Sequence, residues 1–153
     1  MRLVVQRVTQ AQVRAGGEQL GQIGRGAAVL VGIGIGDTAE LVDRMADRLL
    51  GLRYFKDAQG RTNLAIEEVA GEYLVVSQFT LLADLRRGRR PGFTDAAAPE
   101  SAEPLVARFV DRLRGSGRRV VIGRFGAEME VELVNDGPFT LVLEAGAEDV
   151  GAG

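Results

Sequence analysis

The sequence contains no histidine and no cysteine. The first absence excludes Ser-His-Asp and Cys-His catalysis, histidine-ligated zinc and imidazole acid–base chemistry. The second excludes disulfides, a thiol nucleophile and thiolate metal sites. Any catalysis must therefore use hydroxyls, carboxylates, amides, backbone groups or the substrate itself, and neither a metal nor a cofactor is expected. Lysine is nearly absent as well. Lys56 is the only one, so positive charge is carried by arginine. Such a bias can follow genome composition and is weak evidence for RNA binding by itself. No apolar run approaches the ~20 residues needed to cross a bilayer. Met1 to Val5 runs straight into strand-like residues, without the charged start, apolar core and cleavage site of a signal peptide. The expectation is a cytoplasmic protein without membrane contact.

What is present fits a folded domain. The chain has 153 residues, 46% hydrophobic and 26% charged. A chain of that length buries roughly 70% of its unfolded surface. The net charge is −2 and the isoelectric point about 5.3. Broad nonspecific nucleic-acid binding usually wants a basic domain, so this balance argues against it while leaving room for a local basic patch.

Hydrophobic patterning gives the element order. Met1 to Ala15 reads as a valine-rich strand, Gly16-Gly17 as a turn, and Gln19 to Ile23 as a hairpin partner. Ala27 to Ile35 is an apolar run interrupted only by glycine, which suits a strand buried on both faces. Asp37 followed by Glu40 resembles a capping box, and Leu41, Val42, Met45, Ala46, Leu49 and Leu50 then share one helical face. Leu52 to Phe55 and Tyr73 to Leu82 read as strands, and Ala83 to Ala98 as a long loop. Pro99 suits the first position of a second helix ending at Arg114, with Pro104 a less comfortable position near its start. Arg119 to Phe125, Glu128 to Val134 and Phe139 to Glu144 read as three further strands. Two helices are too few to cover both faces of a large parallel sheet. The expected fold is α/β, with an α+β character: one three-layer domain over residues 1–153, two helices on one side of a mixed sheet and a second β layer behind it. Residues 1–147 form the expected core and 148–153 a frayed tail.

Several segments could carry chemistry. Ser77-Gln78-Phe79-Thr80 ends a strongly apolar strand, where polar groups need partners if buried. It is either an active-site edge facing a carbonyl or a strand end whose hydroxyls bond local backbone. Asn135-Asp136-Gly137-Pro138-Phe139-Thr140 is either a hairpin connection or, if Gly137-Pro138 is cis, a place where successive carbonyls face a ligand. Arg86-Arg87-Gly88-Arg89-Arg90 is either a solvated loop or a phosphate-binding one. Gly32 to Asp37 superficially matches a dinucleotide loop, but Asp37 at the helix start would repel pyrophosphate, and a tight turn fits better. Glu128, Glu130 and Glu132 fit a solvent-facing strand surface better than a metal or acid–base pair.

Taken in order, these segments resemble the D-aminoacyl-tRNA deacylases of the bacterial D-tyrosyl-tRNA deacylase type. The resemblance runs from Met1-Arg2-Leu3-Val4-Val5-Gln6-Arg7-Val8 through Leu52-Arg53-Tyr54-Phe55, Asn63-Leu64 and Ser77-Gln78-Phe79-Thr80-Leu81. It continues through Gly88-Arg89-Arg90-Pro91 and Phe125-Gly126-Ala127-Glu128-Met129 to Asn135-Asp136-Gly137-Pro138-Phe139-Thr140. Phe139 departs from the valine more usual there, which bears on pocket shape. The resemblance implies a homodimeric hydrolase of carboxylic esters. Its substrate would be tRNA carrying a D-amino acid or glycine. Ser77, Gln78, Phe79 and Thr80 would form the catalytic edge, with the Phe79 and Thr80 amides as oxyanion donors and the ribose 2′-hydroxyl assisting. Gly137 and Pro138 of the other subunit would reject L-side chains. Phe125 and Met129 would wall the adenosine pocket, and Arg86, Arg87, Arg89 and Arg90 would meet acceptor-stem phosphates. Three other readings compete. They are a small-ester hydrolase using Ser77 or Thr80, a noncatalytic nucleotide-binding module on Gly32 to Gly36, and a plain β-rich interaction dimer.

Overall fold

The computed structural model describes residues 1–86 and 88–146. Arg87 and the expected frayed tail, 148–153, lie outside the described residues. The chain opens on a long strand, β1 (Arg2–Ala15), which turns through Gly16 and Gly17 into β2 (Glu18–Ile23). Both glycines have positive φ, +57° and +81°. That backbone is what a two-residue hairpin turn demands and what only glycine adopts at little cost. β3 (Gly26–Gly32) follows and leads into α1 (Ala39–Gly51). The small pair β4 (Arg53–Lys56) and β5 (Thr62–Ala65) stands apart from the main sheet. Then come β6 (Glu72–Ser77), α2 (Pro99–Arg114), β7 (Val120–Ile122) and β8 (Glu130–Glu144).

The main sheet has six strands. The order is β2-β1-β3-β6-β7, and β8 pairs with β1. β3–β6 and β6–β7 are parallel, and the remaining pairs are antiparallel, so the sheet is mixed as expected. Its two faces bury different clusters. Leu3, Val5, Val29, Val31, Tyr73 and Val75 face Leu41, Met45, Leu49, Phe109 and Leu113 of the two helices. Ala28, Leu74 and Val76 face the other way, toward Val8, Ala11, Val13 and Ile23. The second β layer is therefore the bent continuation of the same sheet. β2 and β7 meet where a Cβ on Gly21 would lie 2.5 Å from a Val121 methyl, so the sheet nearly closes on itself.

Three local expectations are corrected. α1 is capped by Thr38, whose Oγ1 accepts the Leu41 N–H at 3.3 Å, and not by Asp37. The strand read over Tyr73 to Leu82 stops at Ser77, and Phe79–Leu82 forms a 3-10 turn. The two strands read on either side of Asn135 to Pro138 are one strand, β8, and both of its halves pair with β1. Gln6 pairs with Thr140 and Val8 with Asn135, so Asp136 to Phe139 bulge out opposite Arg7 alone. Pro104 is accommodated inside α2. The helices are also clasped by two bidentate ion pairs, Arg108–Asp43 and Arg112–Asp47, at 2.7–2.8 Å. These are exposed, and such pairs contribute little, about 0–1 kcal/mol each.

Candidate active site

The end of β6 is fixed by its neighbour in the sheet. The Gln78 amide donates to the Val31 carbonyl at 2.8 Å, the last rung of the parallel pairing with β3. The chain then tightens into the 3-10 turn, where the Leu81 amide donates to the Gln78 carbonyl at 3.2 Å. Gly32 makes room for this turn. A Cβ there would lie 3.0 Å from the Leu81 Cβ and 3.1 Å from the Gln78 carbonyl oxygen. Because Phe79 and Thr80 open the turn, their amides have no partner within it. The Gln78 side chain donates through Nε2 to Thr80 Oγ1.

These residues border a cleft of about 600 Å³. Ser77, Gln78 and Phe79 lie on one side, Phe125 and Met129 on another, and Val31, Ile33 and Val76 form its floor. Five of the residues expected in the site are thus gathered by elements far apart in sequence. Met129 is set by the turn before it: the Arg124 amide donates to its sulfur at 3.3 Å. Thr80 is exposed beside the cleft and does not line it. The cleft also takes Phe93, Ala96 and Ala97 from the long loop, and Pro99, Ala102 and Val106 from α2. Sequence reading missed these six. An apolar residue on a helix face or in a loop carries no mark that says which cavity it borders.

Gly137 and Pro138 are elsewhere. They sit on the β8 bulge and do not line the cleft of their own chain. Their peptide is cis, and Gly137 has φ +141°. Asn135 closes the bulge: its Oδ1 accepts the Phe139 N–H at 2.6 Å and its Nδ2 donates to Thr140 Oγ1 at 3.1 Å. Arg7 fills the space beneath, 2% exposed. Its Nε donates to the Asp136 carbonyl at 3.0 Å and its Nη1 to the Tyr54 carbonyl at 2.6 Å. Its guanidinium carbon lies 4.6 Å from the Phe139 ring centroid. Phe139, the departure from the more usual valine, packs against Arg7 and stacks with Tyr54, ring centroids 6.4 Å apart. The signal for Arg7 was visible: it is a charged residue within a strand of alternating buried valines.

The arginine-rich loop is held at its base by reciprocal bonds. The Asp84 amide donates to the Gly92 carbonyl at 2.7 Å, and the Gly92 amide donates back at 3.0 Å. Arg86 is tied down by both oxygens of Asp84, at 2.8 and 2.9 Å. Those bonds hold the Asp84 carboxyl at about 2, below the usual carboxylate range. Arg89 and Arg90 are exposed.

The glycine-rich turn before α1 offers no phosphate cradle. The Gly34 amide donates to Asp37 Oδ2 at 2.6 Å, the Ile35 amide to the Asp95 carbonyl at 3.0 Å and the Asp37 amide to the Gly34 carbonyl at 3.2 Å. Asp37 also pairs with the Met1 ammonium at 2.7 Å. With these amides engaged and a buried carboxylate among them, the nucleotide-module reading loses its site. Glu128, Glu130 and Glu132 are exposed, and the described residues hold no group of three carboxylates placed for a metal.

A nearly closed mixed sheet with two helices on one face and an apolar cleft at the end of its parallel strands defines an α/β protein with a small-molecule-sized site. Comparison with known proteins narrows the class. The family described as D-Tyr-tRNA(Tyr) deacylase matches residues 4–144. A D-aminoacyl-tRNA deacylase of Symbiobacterium thermophilum is 54% identical over 145 residues, covering 95% of this chain and 96% of that protein. One from Anaeromyxobacter dehalogenans is 53% identical, covering 95% and 97%. Among solved structures, one titled c-Myc DNA Unwinding Element Binding Protein superposes with a TM-score of 0.89 at 42% identity, covering 96% of this chain and all of that one. A probable eukaryotic D-amino acid tRNA deacylase superposes with a TM-score of 0.78 at 20% identity, covering 93% of this chain and 97% of that one, a likeness of fold alone. The chain belongs to the D-Tyr-tRNA(Tyr) deacylase family, and it is an enzyme of the hydrolase class.

Proposed function

We propose that this chain, acting as one catalytic unit in the cytoplasm, hydrolyses the ester joining a D-amino acid or glycine to the terminal adenosine of tRNA. The observation that carries the reading is the cleft. It brings Ser77, Gln78 and Phe79 against Phe125 and Met129, with the unpartnered start of a 3-10 turn at its edge. Phe125 and Met129 receive the adenosine. The Phe79 and Thr80 amides stabilise the oxyanion, each donor worth about 3 kcal/mol in such sites. Water attacks the ester carbonyl, the carbon–ribose oxygen bond breaks, and the ribose oxygen leaves with a proton. The 2′-hydroxyl of the RNA assists. Thr80 is a poor nucleophile, because its hydroxyl contacts the Gln78 amide group, which cannot take its proton.

Chirality is filtered by a second copy. Gly137 and Pro138 do not reach the cleft of their own chain, yet they project from a strand with one edge unpaired among the described residues. Val131, Val134 and Val142 of that strand are exposed, as an interface requires. In a homodimer the carbonyls of Gly137 and Pro138 face the substrate α-amino group. They leave room for hydrogen or a D-side chain and collide with an L-side chain.

The test is deacylation of matched D- and L-tyrosyl-tRNA by the purified protein, without added metal. Cleavage of the D form alone is expected, with glycyl-tRNA also cleaved. Equal cleavage of both forms refutes the filter, cleavage of neither refutes the reaction, and a trapped Thr80 acyl-enzyme refutes the RNA-assisted route.

A further inference from the structure

The mouth of the cleft carries apolar surface that ester hydrolysis leaves unused. Phe79 is 58% exposed and Phe93 37%. Their ring centroids lie 5.0 Å apart at an interplanar angle of 70°. In an edge-to-face pair one ring face stays open. Phe93 follows the Gly92 end of the clasp that closes the arginine-rich loop. Beyond the clasp the loop presents Leu85, 72% exposed, and the exposed Arg89 and Arg90. Arg86 is neutralised by Asp84, whereas Arg89 and Arg90 form no salt bridge among the described residues. Ile35, also 72% exposed, is tied to the far side of the loop through its bond to Asp95. An aromatic surface at the cleft is thus joined, through the Gly92 end of the clasp, to a loop whose exposed Arg89 and Arg90 form no salt bridge among the described residues.

We propose that Phe93 is the stacking surface for the nucleotide immediately 5′ of the terminal adenosine, with Arg89 and Arg90 meeting the phosphates that follow. The proposal rests on the deacylase reading above. If the adenosine and its ester fill the cleft, the RNA chain must leave across its mouth. Flat apolar rings beside arginines that follow a backbone are how proteins hold single-stranded nucleic acid. Phe93 and the two arginines would therefore act on the affinity for intact tRNA and not on bond cleavage.

The experiment compares D-tyrosyl-tRNA with 3′-O-D-tyrosyl-adenosine, which lacks every nucleotide beyond the first. Phe93→Leu keeps apolar volume but removes the flat ring, and Phe93→Tyr restores it. Phe93→Leu is expected to raise KM on the tRNA about tenfold, the size of one lost base–aromatic stack. It should leave kcat within about twofold and, because Phe93 also walls the cleft, raise KM on the adenosine ester by only about twofold, so that most of the loss appears with tRNA alone, the pattern of lost uniform binding. Phe93→Tyr should return tRNA KM to the wild-type value. Equal loss on both substrates would make Phe93 a wall of the adenosine site and nothing more, and would overturn the proposal. So would unchanged KM on tRNA, or failure of Phe93→Tyr to rescue. Wild-type protein that cleaves neither substrate would instead refute the deacylase reading itself.

Discussion

Arg7 is the residue on which the β8 bulge rests, and Arg7→Met is the perturbation that tests it. Methionine refills much of the stem volume while removing the charge and both donors. Two carbonyls then lose their partner, those of Asp136 and Tyr54. Hydrogen bonds from a charged donor contribute about 1.5–3 kcal/mol each, so the gross loss is roughly 3–6 kcal/mol. Removing a guanidinium that is 2% exposed also removes the cost of burying it, which lowers the net loss to about 2–4 kcal/mol. A typical domain is stable by only about 5–15 kcal/mol, so the effect is easily measured. The assay is urea unfolding at pH 7 and fixed protein concentration, with D- and L-tyrosyl-tRNA deacylation in parallel. The midpoint should fall with an unchanged slope, and discrimination between D and L should fall more than turnover of the D substrate. A loss below about 0.5 kcal/mol, the size of an ordinary surface substitution, would refute the account of the bulge.

Two further predictions follow from local geometry. Gly137 has φ +141°, and a Cβ there would lie 3.0 Å from Arg7 Nη2 and 3.1 Å from the Phe139 amide nitrogen. Gly137→Ala should cost about 1–3 kcal/mol in unfolding experiments, and a neutral result would mean the bulge relaxes freely. Asp84 is held at about 2, against an ordinary 3.8, chiefly by the Arg86 guanidinium. A depressed carboxyl favours the folded clasp above its unfolded value, and that contribution is lost as pH falls from near 4 toward 2. A carboxyl-carbon NMR titration should place Asp84 near 2, and Arg86→Ala should move it back up. A wild-type midpoint near 3.8 would show that the Asp84–Arg86 bond does not persist in solution.

Where conformation is dictated locally, the sequence was readable. Gly16-Gly17 forces a tight turn whatever surrounds it, and the apolar stripe of α1 has one stable way to be buried. The misreadings fall where non-local pairing decides. Phe79 to Leu82 continue the apolar pattern of β6 and look like more strand, but β7 is short and Gly32 lets the chain turn in against β3. Asn-Asp-Gly-Pro has the composition of a hairpin turn. Only the pairing of β1 with both halves of β8 makes it a bulge in a continuous strand.

The candidate cleft was legible only in part, for a related reason. A search by residue type finds histidines, cysteines and clustered carboxylates, and none of these occurs in the cleft except the lone Glu128 at its edge. The groups assigned to the chemistry are amides and carbonyls, which every residue has. A backbone site leaves its mark only in the residues that set backbone shape: Gly32 where the 3-10 turn packs close, Gly137 where φ is positive, and Asn135 and Arg7 where side chains close the bulge. In a chain without histidine, residues that fix conformation are therefore the ones to read as catalytic signals.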